Sequence, residues 1–249
     1  MANASVTNEK EFKGPIEAIS CSPNKDFIVA GGRDDLSVLE VDERGSLSEK
    51  VNLRRTVRMK SMQNTSVDVQ WHPTIHDRLV TSSRNGAVVV WNPFRNIGEG
   101  GKQDYIFDKV HDRTVNRLQW NPIEQNSLLT ASQDHTLAML DLSKGPSEGK
   151  PPHKVEPKHY GDIIVQRYEK DTNPVRDCAF APYYPNFFAA AYEANYFRLF
   201  DTRKKKWMDK KVEAFNKGPL YCIAWHPFDR DTIACGGHDT CVKIYDLRK

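Results

Sequence analysis

The chain has 249 residues, of which 39% are hydrophobic, 10% aromatic and 28% charged, as is typical of a soluble globular protein with a sizeable core. Its 36 Lys and Arg nearly balance 33 Asp and Glu, and a formal charge of +3 excludes a strong overall field for nucleic acid or an anionic membrane. No apolar run approaches bilayer length, and the polar start "MANASVTNEKEF" lacks a signal-peptide region, so we expect a cytosolic or nuclear protein. The five scattered cysteines form no CxxC pair and are expected to be reduced thiols.

A proline-centred motif recurs five times along the chain. Its copies are "AISCSPN", "DVQWHPT", "RLQWNPI", "DCAFAPY" and "CIAWHPF", with the proline at Pro23, Pro73, Pro122, Pro182 and Pro227. Nineteen residues after each proline stands the Asp or Asn of a dipeptide, "VD", "WN", "LD", "FD" or "YD". Twelve residues after the proline, four of the five repeats carry a turn-forming residue, namely Asp35, Asn85, Asp134 and Asp239. These markers share one frame and indicate an internal repeat.

Apolar residues alternate between the markers, as in "SVDVQW", "GAVVVW" and "TCVKIY". Each repeat is therefore predicted to form strand a ending near the proline, strand b, a tight turn and strand c. A strand d is predicted in the connectors, in "EKVNLRR", "DYIFDKV", "DIIVQRY" and "KKWMDKKV". Four antiparallel strands per repeat predict an all-β fold, a β-propeller of WD-repeat type with five recognisable blades.

The predicted propeller covers residues 14–249, with repeats at about 14–54, 64–110, 111–168, 173–213 and 218–248. Residues 1–13 are predicted to be an N-terminal tail. The last repeat lacks a fourth strand of its own, and an open strand edge invites pairing. One alternative is that the tail segment "ASVTNEKEF" supplies a closing strand. The other is that the ring is incomplete, either because two blades of a seven-blade ring are missing or because a partner inserts a blade.

Several stretches carry a resemblance to a known family. They are "KVNLRR", "SVDVQWHP", "NGAVVVWN", "RTVNRLQWNP", "NPVRDCAFAP" and "GPLYCIAWHPFDRDTIACGGHDTCVKIYDLR". They resemble, in order, the N-terminal propeller of the WD repeat-containing protein 24 family, subunits of the SEA complex, also called GATOR subcomplex two. The resemblance implies a scaffold in amino-acid signalling to the TOR kinase, at the vacuolar or lysosomal surface. Family members also carry a helical region and a zinc-binding RING-type domain, but this chain has no Cys/His cluster of zinc spacing.

In a propeller the b–c turns and the d–a connections emerge on one face, here called the top face. Loops of this kind carry binding residues disproportionately often. The candidate partner-binding residues on it are Arg33, Arg84, Arg113, Gln133, His135, Glu193, Asn195, Lys217 and His238. The structural alternative is that they are solvated loop tips, since hot spots are a minority even within interfaces.

A second group of polar residues is predicted to be structural. It consists of His111, Ser132, Asp134 and Asp239. The first three match the family's internal network of His, Ser or Thr, and Asp, and Leu140 stands where that network has Trp. His72 and His226 are predicted to be surface histidines, because no third ligand converges to complete a metal site. We expect neither metal nor cofactor.

No catalytic motif such as GxSxG, GxxxxGK[ST] or HExxH is present, and no catalytic residue is predicted. The basic run "RKKKWMDKK" is predicted to be a solvated turn leading into strand d, and the Pro-rich part "GKPPHKVEP" a flexible excursion. The leading hypothesis is a non-enzymatic scaffold that binds other WD-repeat subunits, cytoplasmic and only indirectly associated with the lysosomal or vacuolar membrane. The alternatives are a chromatin- or RNA-associated module that binds peptides or phosphates, and an enzyme with a site in the central opening.

Overall fold

The computed structural model describes residues 8–56, 65–96, 101–145, 153–155, 160–168, 170–203, 210–213 and 218–248. Their strands form five sheets, numbered as blades 1 to 5 along the chain. Blade 1 contains β1 (Ile16–Cys21), β2 (Phe27–Gly32), β3 (Leu36–Val41) and β4 (Leu47–Asn52), and blade 2 contains β5 (Ser66–Trp71), β6 (Leu79–Ser83), β7 (Val88–Trp91) and β8 (Gln103–Phe107). Blade 3 contains β9 (Val115–Trp120), β10 (Ser127–Ser132), β11 (Leu137–Asp141) and β13 (Ile164–Tyr168). Blade 4 contains β14 (Val175–Phe180), β15 (Phe187–Tyr192), β16 (Tyr196–Asp201) and β17 (Lys210–Glu213), and blade 5 contains β18 (Leu220–Trp225), β19 (Thr232–Gly237) and β20 (Val242–Asp246).

In blades 1 to 4 the antiparallel strands a, b, c and d follow one another in space, and in blade 5 strands a, b and c do so. The all-β, four-stranded prediction is confirmed, and the d strands of blades 1 to 4 fall within the connectors that the sequence indicated. Blade 5 has three strands among the described residues. Among the described residues, helical structure is limited to two 3₁₀ turns, Leu53–Thr56 and Leu142–Lys144, and the single turn α1 (Tyr160–Ile163).

Four apolar clusters lie between successive blades and hold the stack together. The cluster between blades 2 and 3, for example, joins Val80 and Phe107 to Trp120, Leu128 and Leu140, all at most 4% exposed. Because both faces of an inner blade are covered, its strands are apolar on both faces, as in "VVVW" of β7, where all four residues are buried. The core is therefore a series of inter-blade layers.

Polar contacts between the innermost strands add to this stacking. The carboxylate of Asp68 in β5 accepts a hydrogen bond from the backbone N–H of Leu118 in β9 at 2.8 Å, and Asp177 in β14 accepts one from Ile223 in β18 at 2.9 Å. Arg117 lies between the two carboxylates, with Nε 3.1 Å from Asp177 and Nη1 3.6 Å from Asp68. Burial raises the pKa of Asp177 to about 6 and also raises that of Asp68, while the Arg117 charge opposes both shifts.

The repeat frame of blade 1 differs from the sequence prediction. Strand pairing aligns Leu39, not Val41, with Trp91 of blade 2, so "LE" stands where "VD" was predicted to match the WD dipeptide. The a–b turn and the b–c turn of blade 1 are each one residue shorter than those of the other blades. Asp42 instead caps the following turn, where its carboxylate accepts the N–H groups of Arg44 and Ser46 at 2.9 and 2.7 Å.

The Pro-rich connector is also more ordered than predicted. Within it β12 (His153–Lys154) pairs in parallel with β8 and adds a fifth strand to blade 2. Val155 follows with 3% exposure, and its N–H donates to the carbonyl of Ile106 at 3.0 Å. The prediction of a flexible excursion is wrong for these residues, because the edge of β8 offers backbone groups that the connector satisfies.

Of the N-terminal tail, residues 8–13 are described, and they form no strand. They contact blade 1: the Asn8 side chain donates to the carbonyl of Gly45 at 3.1 Å, and the Lys13 N–H donates to Asp35 at 3.0 Å. Residues 1–7, which include part of the segment considered as a closing strand, lie outside the described residues.

Candidate interaction surfaces

The predicted top-face residues occupy equivalent loops of successive blades. Those in b–c turns are Arg33, Arg84, Gln133, His135, Glu193, Asn195 and His238, and Arg113 lies in the connection from blade 2 to blade 3. Because the blades stack in register, these loops emerge on the same side of the stack. Lys217 lies outside the described residues.

Their environments divide them into paired and free side chains. Arg84 is bound to Glu17 of blade 1 at 2.8 Å, and Glu193 is bound to Arg176 at 2.9 Å, so both charges are compensated. Arg33 and Arg113 are exposed and form no side-chain hydrogen bond or ion pair within the described ranges. The top face thus presents two uncompensated guanidinium groups on blades 1 and 3.

The predicted network residues of blade 3 come together in the structure. His111 is fully buried, and its Nδ1 lies 3.0 Å from Asp134, while its Nε2 lies 2.7 Å from Thr130. The Ser132 hydroxyl accepts the backbone N–H of Asp134 at 3.0 Å and donates to a blade 3 carbonyl at 2.9 Å. Thr136 donates to Asp134 at 2.6 Å, and neither threonine was identified from the sequence.

The carboxylate of Asp134 is held ionised by this network. Burial alone would raise its pKa, but hydrogen bonds from His111, Thr136 and the backbone, together with the His111 charge, hold that pKa well below its usual range. In blade 2 the indole of Trp91 donates to Thr81 at 2.9 Å, a contact that blade 3 lacks because Leu140 replaces the Trp. These contacts fix the b–c turn of blade 3.

Asp239 of blade 5 has a different environment. Its carboxylate lies 3.0 Å from Lys243 of β20 and accepts the N–H of Cys241 at 3.3 Å. The neighbouring His238 is exposed. Asp239 therefore stabilises its own turn through an ion pair with Lys243, whereas Asp134 of blade 3 is paired with His111.

His72 does not lie on the surface, contrary to the sequence prediction. Its ring is buried, and Nε2 lies 2.7 Å from the carbonyl of Gln125 in blade 3, while Nδ1 accepts the N–H of Ile75 at 2.9 Å. Burial lowers its pKa, so the neutral imidazole is favoured. His72 is thus an inter-blade brace, whereas its counterpart His226 in blade 5 is exposed as predicted.

The outer face of blade 5 is the largest departure from the stacking pattern. Pairing registers make Val242 and Ile244 of β20 the equivalents of Phe197 and Leu199 of β16. In blade 4 these two side chains are 0% and 5% exposed because blade 5 covers them, but Val242 and Ile244 are 79% and 73% exposed. On the same face, Ala224 of β18 pairs through Ala234 with Ile244. This apolar surface, called the blade 5 face, has the chemistry of an inter-blade contact.

Comparisons with known proteins agree with this architecture. The family model "WD domain, G-beta repeat" matches residues 210–246. "GATOR2 complex protein WDR24" of Danio rerio is 34% identical over 236 residues, which are 94% of this chain and 27% of the relative. The protein of the same name from Homo sapiens is 33% identical over the same share of both chains, and that from Dictyostelium discoideum is 31% identical over 94% of this chain and 21% of the relative.

This chain is a WD-repeat protein homologous to WDR24. It spans about a quarter of the length of the vertebrate relatives it matches. None of the described helices has the length and apolarity needed to cross a membrane, and no group of three His, Cys, Asp or Glu side chains in the described ranges could hold a metal ion.

Proposed function

We propose that this chain is a non-catalytic scaffold subunit of a GATOR2-type complex in amino-acid signalling to the TOR kinase. Relatives over 94% of its length carry the name of that complex. Its location would then be cytoplasmic, with indirect association at the lysosomal or vacuolar membrane. Its partners would be other WD-repeat subunits, and no nucleic acid, metal or cofactor would be needed.

The observation that carries the scaffold function is the blade 5 face. Val242 and Ile244 are 79% and 73% exposed, whereas their counterparts in blade 4 are covered by a neighbouring sheet. Complete coverage of each aliphatic side chain is worth roughly 1.5 to 3 kcal/mol. A flat apolar sheet face suits a partner that is itself a β-sheet. We infer that another sheet of the assembly stacks here.

The test is recovery of the tagged chain from its own cells, with mass spectrometry of the proteins present in stoichiometric amounts. We expect other WD-repeat subunits with the unaltered chain and their loss with Ile244→Lys. A lysine at the exposed Glu43 on blade 1 is the matched control and should leave recovery unchanged. Equal recovery with Ile244→Lys would refute the role of the blade 5 face, and recovery of the unaltered chain without such subunits would refute the scaffold function.

The nucleic-acid alternative is less well supported. It relied on three top-face arginines, but Arg84 is neutralised by Glu17 at 2.8 Å. Two separate free arginines form a weak phosphate-binding surface, since affinity for a nucleic acid backbone rises with the number of phosphates neutralised.

A further inference from the structure

The five blades differ from one another on the face opposite the top face. This bottom face is formed by the a–b and c–d turns. The residue after each repeat proline is exposed there, and it is polar in blades 1 and 2, where Asn24 and Thr74 occupy the position. In blades 3, 4 and 5 it is Ile123, Tyr183 and Phe228, which are 51%, 49% and 83% exposed. Three successive blades therefore present large apolar side chains where the first two do not.

Hydrogen bonds join these three turns into one surface. Asn121 of blade 3 donates to the carbonyl of Pro185 in blade 4 at 2.8 Å. The Tyr183 hydroxyl of blade 4 donates to the carbonyl of Pro227 in blade 5 at 2.9 Å, immediately before Phe228. The apolar side chains thus belong to turns in direct contact, and they form a continuous sector, called the apolar arc (Ile123, Tyr183 and Phe228). Exposed apolar side chains grouped on neighbouring turns are the composition expected of an interaction site.

A cleft of about 550 Å³ lies between blades 3 and 4 on this face, a size within the usual range for ligand sites. Residues of the a–b turn of blade 3 and Pro185 line it, so it adjoins the arc. Met139 and Val165 give it an aliphatic part. Tyr168 also lines it; this residue is 6% exposed, and its hydroxyl has no hydrogen-bond partner among the described residues.

The aliphatic part of the cleft arises from a β-bulge. Gln166 pairs with Met139 and Ile164 with Leu140, so Val165 is the extra residue, 45% exposed. The same register shift occurs in blades 1 and 2, where the extra residues are Lys50 and Asp104.

In those blades the bulge residue is charged and paired locally. Lys50 lies 3.1 Å from Glu40, and Asp104 is bound to Arg95. Bulges re-aim side chains and are frequent beside functional sites. Only in blade 3, of the three, does this position offer an exposed aliphatic side chain without a local partner, and there it faces a cleft.

The charge of the cleft indicates what it would accept. Among the described residues, its lining includes the carboxylates of Glu124 and Asp141 and several side-chain amides, and it includes no Lys, Arg or His. Glu124 is exposed, and its carboxylate forms no ion pair or hydrogen bond within the described ranges. Asp141 is partly compensated, since Lys144 lies 3.7 Å away and Ser143 donates to it. The cleft therefore suits a cation with an aliphatic stem.

We propose that the bottom face of blades 3 to 5 binds an extended segment of a partner protein that carries a Lys or Arg between apolar residues. The basic side chain enters the cleft, with its stem against Met139 and Val165 and its charge at Glu124. The flanking apolar side chains lie on the arc. An anionic membrane or an RNA does not fit the described part of the lining, which carries two carboxylates and no cation. This contact is separate from the blade 5 face.

The experiment places the photo-crosslinker benzoylphenylalanine at positions 123, 183 or 228 of the tagged chain in its own cells. The same probe at the matched polar positions 24 and 74 is the control. We expect crosslinks at the arc positions and not at the control positions, and mass spectrometry should identify a partner segment with a Lys or Arg flanked by apolar residues. Crosslinking at 123, 183 and 228 no greater than at 24 and 74 would overturn the proposal.

The second step uses a synthetic peptide of the crosslinked segment. Fluorescence anisotropy should show at least tenfold weaker binding to Glu124→Lys and to Val165→Asp, while the control Glu43→Lys binds normally. Replacement of the peptide's basic residue by Ala should have a comparable effect. Equal binding by Glu124→Lys and the unaltered chain, or a crosslinked segment without a basic residue, would refute the proposal. These variants keep the blade 5 face, so co-purification of other WD-repeat subunits should persist and would separate this outcome from a failure of the scaffold function.

Discussion

Asp177 provides a quantitative test of how the innermost strands hold adjacent blades together. The residue is 7% exposed, and its carboxylate contacts Arg117 at 3.1 Å and the N–H of Ile223 in blade 5 at 2.9 Å. Burial is the largest influence on it and raises its pKa from 3.8 to about 6. A difference of about two pKa units corresponds to about 3 kcal/mol between the two protonation states.

The sign of the pH dependence follows from the direction of the shift. Because the pKa is higher in the folded than in the unfolded chain, the folded state binds this proton more tightly. The resulting contribution to the free energy of unfolding is fully present below about pH 4 and is lost as the pH rises through about 6. The Asp177→Asn variant cannot titrate there. We therefore expect the unaltered chain to lose about 3 kcal/mol relative to Asp177→Asn between about pH 4 and pH 7.5.

The assay is urea unfolding of both chains across this pH range, with the difference between them taken at each pH. Taking the difference removes the contributions of carboxylates that are independent of Asp177; Asp68, which shares Arg117 with it, is the carboxylate whose contribution remains. The variant Glu43→Gln changes an exposed carboxylate and serves as the control. A difference between the unaltered chain and Asp177→Asn that stays constant with pH, or that grows as the pH rises, would refute the reasoning.

Four further substitutions test the packing and the turns. His111→Ala removes the imidazole partner of the buried Thr130 and of the half-buried Asp134 and Thr136, and it should lower the free energy of unfolding by about 1 to 3 kcal/mol, measured by urea unfolding. Leu199→Ala should cost about 2 to 5 kcal/mol because the side chain is 5% exposed, whereas Ile244→Ala, at 73% exposure, should change the stability of the isolated chain by less than about 0.5 kcal/mol. Equal losses of stability from Leu199→Ala and Ile244→Ala would contradict the conclusion that blade 5 covers Leu199 while Ile244 is exposed. Gly86→Ala should lower the midpoint of thermal unfolding, because φ is +88° and a Cβ would lie 1.9 Å from the carbonyl oxygen of His111.

The strand frame was predictable because it depends on local patterns. Alternating apolar residues, a fixed proline and turn formers recur in each repeat, and each acts within about twenty residues of chain. The exception in blade 1 is instructive. Asp42 satisfied a count from Pro23 and caps a turn as Asp141 does, but strand pairing places it two residues beyond the position of Asp141. The a–b and b–c turns of blade 1 are each one residue shorter than in the other blades. Counting residues from the proline does not reveal this, because an acidic turn residue occurs at the expected distance.

Contacts between blades could not be predicted in the same way. His72 follows a strand and precedes a proline, as His226 does, yet only His72 is buried against the next blade, at Gln125. The difference depends on residues about fifty positions away in sequence. Similarly, the two residues of β12 have no strand pattern, and they pair because the edge of β8 lies beside the connector. Long-range geometry decided both cases.

The same reasoning explains which surfaces of this fold are informative. Features that every repeat shares, such as the proline frame and the inter-blade apolar layers, are needed to build the stack and carry little information about partners. Positions at which equivalent residues of different blades differ in chemistry are not needed to build the stack. Phe228 and Asn24 occupy the same exposed position, and burial within the stack cannot explain an 83% exposed phenylalanine. Val165 and Lys50 likewise share one bulge position, but only the lysine has a local partner. The apolar choices in blades 3 to 5 therefore point to a contact outside the stack, and the repeats themselves provide the internal reference for that conclusion.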